Sequence, residues 1–348
     1  MKDAGQKVAG NVKHVWIPIL IGLSVVGIIL WNEFDPSDFD TLVIDIQFYA
    51  GLSAALVFFV IQFMLMTYRF RLLSSEQLSM KQSFEVNSLV EFTSAVTPGI
   101  VGGSTLLIWF LNREGLNMGK STAITITCLF LDELFFSLSC GVILLFTTLD
   151  DLFSNTPVLY SGISIVFFSL YVVIVLYTVM LYISLFVKPS WTAKVLLLFF
   201  SLPGLRKWKH NIEILNKDLE ICAREMKQKS FAFWMQAFMI SAVSWIFRYM
   251  IVNAILFAFN TGGNQLLALA RQFVLWILMI VSPTPGGSGL SEYMFKVYYA
   301  DYFSSSSIAL MAAVCWRFFS YYTNLIIGVF IIPAWLRRKK QTSITEKL

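Results

Sequence analysis

The sequence predicts an all-α polytopic membrane protein, with about six full transmembrane helices and two oppositely oriented re-entrant helical hairpins that form an inverted repeat. Three observations lead there. Of the 348 residues, 57% are hydrophobic and only 14% are charged, with a mean hydropathy of +0.71, which is more apolar surface than a soluble core of this size uses. Two stretches rich in proline and glycine, SAVTPGIVGG at 94–103 and VSPTPGGSGLSE at 281–292, interrupt long apolar runs. The charges of the loops alternate consistently only if these two stretches turn the chain back instead of carrying it across.

Apolar runs long enough to span a bilayer lie at 15–31, 46–66, 121–148, 159–187, 231–259 and 308–335. Lys2, Lys7 and Lys13 precede the first, which places the N-terminus in the cytoplasm, and no small-x-small cleavage site follows, so the run is read as a retained span. The loop NEFDPSDFDTLVID carries five acids and no base and belongs outside, whereas YRFRLLSSEQLSMKQ at 68–82 is basic and belongs inside. If the region 84–111 crossed the membrane, every later loop would be inverted, including the basic stretch after Lys188. A hairpin with limbs 84–96 and 100–111, turning at Thr97, Pro98 and Gly99, removes the conflict. Each limb reaches only about 20 Å, short of a hydrocarbon core of about 30 Å. By the same parity, residues 265–300 dip in from the outside and return, and the last span delivers the basic tail 337–348 to the cytoplasm.

The chain reads as one integral membrane domain, 1–348, with a basic cytoplasmic insert at 188–230. That insert holds nine bases against four acids, a net charge of +5, and Ile212, Leu215, Leu219, Cys222 and Met226 mark one apolar face. It fits an amphipathic helix on an anionic leaflet, or a loop whose charge only sets topology. Cys128, Cys140, Cys222 and Cys315 form no paired spacing, so neither a zinc site nor a disulfide framework is indicated. Neither a nucleotide-binding loop nor metal-ligand spacing is present, and no cofactor is expected. The charge pattern gives no reason to expect nucleic-acid binding.

The hairpin turns, Thr97, Pro98, Gly99, Gly102 and Gly103 in the first and Pro285, Gly286, Gly287, Gly289 and Glu292 in the second, predict a cavity, because irregular backbone inside a membrane survives only against protein or water. Read singly, each would be an ordinary helix kink. Glu91, Asp132, Glu133, Arg248, Arg271 and Arg317 fall within the apolar segments, where ionisable groups are costly and therefore candidates for function. Two readings stay open: internal pairing, for instance of Glu292 with Arg317, or an arginine left free for the bidentate recognition of a phosphate. Helix N-termini after the two turns would add N–H donors for an anionic head group.

The segments TPGIVGGSTLLIWFLNREG at 97–115, PTPGGSGLSE at 283–292 and WRFFSYYTNLIIG at 316–328 resemble the transmembrane region of the lysylphosphatidylglycerol synthase/flippase family. The resemblance implies a flippase-like domain that moves phospholipids or polyprenyl-linked lipids between leaflets of a bacterial-type cytoplasmic membrane, with both termini cytoplasmic. The family's first motif often reads TPGRxGGE followed by proline and a base. Here Ile100, Ser104, Thr105 and Leu107 stand at those positions, whereas the second motif and Arg317 match. Only a short basic tail follows Leu336, so an aminoacyl-transferase domain is not expected and a separate lipid-modifying enzyme would be a partner. A homo-oligomer is compatible with this reading. The alternatives are a membrane-embedded enzyme acting on a lipid-linked substrate, for which Asp150-Asp151 offers paired acids, and an accessory subunit docking through the basic insert.

Overall fold

Side chains of Asp45, Ser79, Asn117, Ser230, Asn264 and Ser305 set where six of the helices begin. Each accepts a hydrogen bond from a backbone N–H of the first turn, as Asp45 does from Phe48 at 3.0 Å and Asn117 from Lys120 at 2.7 Å. Such a cap contributes about 0.5–2 kcal/mol. The computed structural model describes residues 27, 44–97, 101–153, 157–187, 225–280, 282, 284 and 286–345. Its helices are α1 (Ile46–Leu73), α2 (Met80–Val96), α3 (Val101–Arg113), α4 (Met118–Phe146), α5 (Leu149–Phe153), α6 (Pro157–Tyr182), α7 (Phe231–Ala258), α8 (Gln265–Met279), α9 (Leu290–Tyr298), α10 (Ser306–Arg317) and α11 (Thr323–Thr345). Five-residue π-helical turns extend α6 through Ile183–Val187 and join α10 to α11 through Phe318–Tyr322. No strand occurs among the described residues.

Five helical segments are long and apolar enough to cross a membrane: Ile46–Leu73, Met118–Phe146, Gly162–Val187, Phe231–Ala258 and Ser306–Arg338. They correspond to five of the expected spans. The first span, at 15–31, and the insert as far as residue 224 lie outside the described residues, Gly27 apart. Val172, Val173, Leu176 and Val179 are exposed along one face of α6, the surface a lipid-facing helix presents.

The long helices α1 and α7 run antiparallel. Gln47 Nε2 donates to the carbonyl of Phe257 at 2.9 Å near one end, Ser244 Oγ to that of Gln62 at 2.9 Å midway, and Lys229 Nζ to Ser75 Oγ at 2.9 Å at the other. Gly51 makes the closest approach, since a Cβ there would fall 2.5 Å from Ala258 Cβ. The order of a long helix, a short pair and a long helix occurs twice, as α1, α2/α3, α4 and as α7, α8/α9, α10–α11. With α1 and α7 antiparallel, the second set is inverted relative to the first.

Each short pair starts and finishes at one end of the bundle. Arg338 ion-pairs with Glu85 in the first turns of α2 and, at 2.9 Å, with Glu114 just after α3, and Gln82 Nε2 reaches the Glu114 carbonyl at 3.4 Å. At the opposite end Tyr302 Oη donates to the Asn264 carbonyl at 2.7 Å, closing α8/α9. Arg71, Lys81, Arg113, Lys120, Lys229 and Arg338 gather at the first of these ends beside Glu76, Glu85 and Glu114, and Asp45, Asp150, Asp151 and Asp301 at the other beside Arg271 and Lys296. The pairs thus enter from opposite ends, and their limbs of 17, 13, 15 and 9 residues reach at most about 25 Å.

Gly51→Ala forces the α1 and α7 backbones apart and lowers stability by about 1–3 kcal/mol, read as a lower unfolding midpoint in detergent. Gly162→Ala, where a Cβ meets nothing within 4 Å, leaves the midpoint unchanged.

Candidate functional site

The two turns meet. The N–H of Gly286 faces the carbonyl of Thr97 at 3.5 Å, and Tyr321 Oη donates to the carbonyl of Ala95 at 3.1 Å. Gly286, Gly287 and Gly289 have φ of 56°, 71° and 83°, a left-handed backbone that side chains with a Cβ resist. At Gly286 a Cβ would also stand 2.9 Å from the Ala95 carbonyl oxygen and 2.1 Å from the Tyr321 ring. In the first pair Gly103 lets α3 close on α2, where its Cβ would collide with Ser94 Oγ. Gly102 sits in the first turn of α3. Pro98, Gly99 and Pro285 lie outside the described residues.

Around this junction is a cavity of about 430 Å³. Residues 125, 128, 129, 132, 133 and 136 bring one face of α4 to it, and Thr97, Gly103, Gly286 and Gly287 bring both turns. Its charged lining consists of Arg69, Glu91, Asp132, Glu133, Arg248 and Arg317.

Three ion pairs organise these charges, each tying together two helices. Arg69 on α1 holds Asp132 on α4 in a fork, Nη1–Oδ1 2.5 Å and Nη2–Oδ2 3.2 Å, and Trp245 Nε1 donates to the same carboxylate at 2.8 Å. Arg248 on α7 holds Glu91 on α2 at 3.0 and 2.6 Å, with Asn324 Nδ2 a third donor at 3.2 Å. Arg317 on α10 reaches Glu292 on α9 through Nε at 3.0 Å, and its Nη2 donates to the Gly286 carbonyl at 2.8 Å. The Arg317 guanidinium also lies over the Tyr321 ring, 4.1 Å from its centroid.

Glu292 is 0% exposed and does not line the cavity. Its Oε2 accepts from the Gly289 N–H and the Ser291 hydroxyl, both at 2.8 Å, so it caps its own helix while Oε1 anchors Arg317. Arg317, not Glu292, presents the second pair to the cavity. Arg271 stands apart, bound to Asp301 at 2.6 and 2.8 Å and to the carbonyls of Asp151 and Tyr298. Asp150 and Asp151 do not line the cavity either.

Of the two readings the sequence leaves open, the structure has internal pairing, Glu292 with Arg317 included. Arg69, Arg248, Arg271 and Arg317 each have a carboxylate partner, because an unpaired guanidinium in a low-dielectric interior is costlier than a paired one. Among the described residues that line the cavity, the charge outside these pairs is an acid. Among the described residues Glu133 takes part in no ion pair, and its buried Oε2 has no hydrogen-bond partner. Arg69 Nε, Tyr249 Oη and Asn324 Oδ1 are likewise buried without a protein partner, although all three residues line the cavity.

Sequence reasoning placed Arg69 in a basic loop. The structure buries it within α1, and the signal was the apolar run that continues after it through Phe70, Leu72 and Leu73. Trp245, Tyr321 and Asn324 were also missed, since nothing in a single apolar helix marks which polar groups will face a cavity.

The family model described as the lysylphosphatidylglycerol synthase TM region matches residues 15–328, which include both short pairs, all three ion pairs and the π turn. The chain belongs to this family. It is also similar to a UPF0104 membrane protein of Archaeoglobus fulgidus, 24% identical over 337 residues, a match covering 93% of this chain and 98% of the relative. The family shared is the membrane region of lysylphosphatidylglycerol synthase-like proteins, so the architecture described here is that of a family member over nearly its whole length.

Arg69→Met strands Asp132 and lowers stability by about 3–5 kcal/mol, and adding Asp132→Leu recovers most of that loss. Denaturation of the two variants in detergent, compared with the parent protein, reads both effects.

Proposed function

We propose that the chain is a flippase-like lipid transporter, in which the charged head group of a phospholipid or polyprenyl-linked lipid passes through the cavity at the junction of the two turns. The observation that carries this reading is a cavity lined by six charged side chains at the meeting point of two short-helix pairs that start from opposite ends, with buried donors and acceptors unsatisfied by protein. Buried polar groups are nearly always paired, so such orphans favour a site that receives polar atoms from elsewhere. Limbs shorter than a bilayer core favour pairs that re-enter the membrane instead of crossing it. With the basic end of the bundle in the cytoplasm, α1 runs inward and the C-terminal end of α11 is cytoplasmic.

The pairs define a route for exchange. A head-group phosphate competes with Glu91 or Glu292 for the fork of Arg248 or Arg317, since guanidinium binds phosphate and carboxylate with the same geometry. Displacement of a carboxylate loosens a link between two helices, which couples occupancy of the cavity to helix movement. An aminoacylating enzyme supplying a modified lipid remains a partner in this scheme, with the chain itself non-enzymatic.

Purified protein in liposomes accelerates leaflet exchange of labelled phospholipid or polyprenyl phosphate. Arg248→Ala reduces the rate at least about tenfold, the loss of roughly one charge-assisted contact, while Arg271→Met lowers stability and leaves the rate per folded molecule unchanged. Absence of exchange for every anionic, zwitterionic and cationic lipid tested would refute the proposal.

A further inference from the structure

The charges lining the cavity, together with Glu292 behind Arg317, do not cancel. Arg69, Arg248 and Arg317 are matched by Asp132, Glu91 and Glu292, and Glu133 is left over. It lines the same cavity, one residue beyond the Asp132 that α1 and α7 hold. We propose that Glu133 is a proton-binding site, loaded and unloaded as the cavity opens to each side, so that head-group movement is coupled to proton movement.

The surroundings select a proton over other cations. No group of three or more His, Cys, Asp or Glu that could hold a metal ion occurs among the described residues, and a hard cation takes six or more oxygens. The ionisable groups that act on Glu133 are Asp132 on its own helix, Tyr177 on α6 and Tyr249 on α7, and Arg69 on α1, Glu91 on α2, Cys128 on α4, Arg248 on α7, Arg317 on α10 and Tyr321 in the π turn line the same cavity. All three arginines there already hold carboxylates at 2.5–3.0 Å, and Asp132 adds a like charge beside it. A carboxylate so placed is neutralised most simply by a proton. The step is an acid–base exchange: the carboxylate takes a proton from water on one side, forming a carboxylic acid, and returns it to water on the other. Nothing is oxidised or reduced.

The coupling half rests on the transport reading, and the proton site does not, so two measurements separate them. Infrared difference spectra of the full-length protein between mildly acidic and mildly alkaline buffer show a carboxylic-acid C=O band that is absent from E133Q and shifted in E133D. In proteoliposomes of anionic phospholipid, a gradient of one pH unit biases the leaflet distribution of labelled lipid by up to about tenfold for one proton per head group. Reversal of the gradient reverses the bias, and in E133Q the exchange that remains ignores the gradient. A band unchanged in E133Q overturns the proton site. Exchange by the parent protein that ignores the gradient overturns the coupling. A titrating band with no exchange of any lipid leaves the proton site standing and refutes transport instead.

Discussion

The side chain of Arg317 fastens the two inverted halves together. It holds Glu292, which caps α9, and the carbonyl of Gly286 in the second turn. Its guanidinium lies against Tyr321, whose hydroxyl reaches Ala95 at the end of α2. One cation thereby orders the left-handed glycines of one short pair and, through an aromatic ring, the end of the other. A lysine could not do the same, because a point charge lacks the planar fork that reaches a carboxylate and a carbonyl while stacking on a ring.

The other two pairs have the same logic at a larger scale. In a bilayer the apolar effect does not drive helices together, since lipid tails are as apolar as leucine. Specific association must come from packing and from polar contacts that lipid cannot replace. The Arg69–Asp132 and Arg248–Glu91 forks supply such contacts between α1 and α4 and between α2 and α7. Close approaches at Gly51 against Ala258 and at Gly328 against Phe92 supply the packing. Stability and the charged part of the cavity lining therefore come from the same residues.

Hydropathy made the five long spans legible, because length and apolarity are local properties. The ends were less so: α1 runs seven residues beyond the expected 66, to Leu73, since an arginine that finds a buried acid no longer marks the membrane surface. The short pairs differ from the spans in the length of their limbs, 17, 13, 15 and 9 residues. Glu292 and Arg317, 25 residues apart in sequence, were read as possible partners from their common depth. The pairing of Arg69 with Asp132 and the contact of Thr97 with Gly286 join residues 63 and 189 positions apart. No local pattern records such distances. That Glu133, among the described residues lining the cavity, joins no ion pair is identifiable only once its neighbours' partners are known.

The π turn Phe318–Tyr322 comes directly after Arg317. A π turn contains one residue more than an α-helix needs, and reverting it to α-helix rotates the downstream helix by about 100° relative to the upstream one. Arg317 lies before this turn, while Tyr321 lies within it and Asn324, a donor to Glu91, lies after it. The helix thus changes its winding between its hold on the second short pair, through Arg317, and its hold on the first, through Asn324.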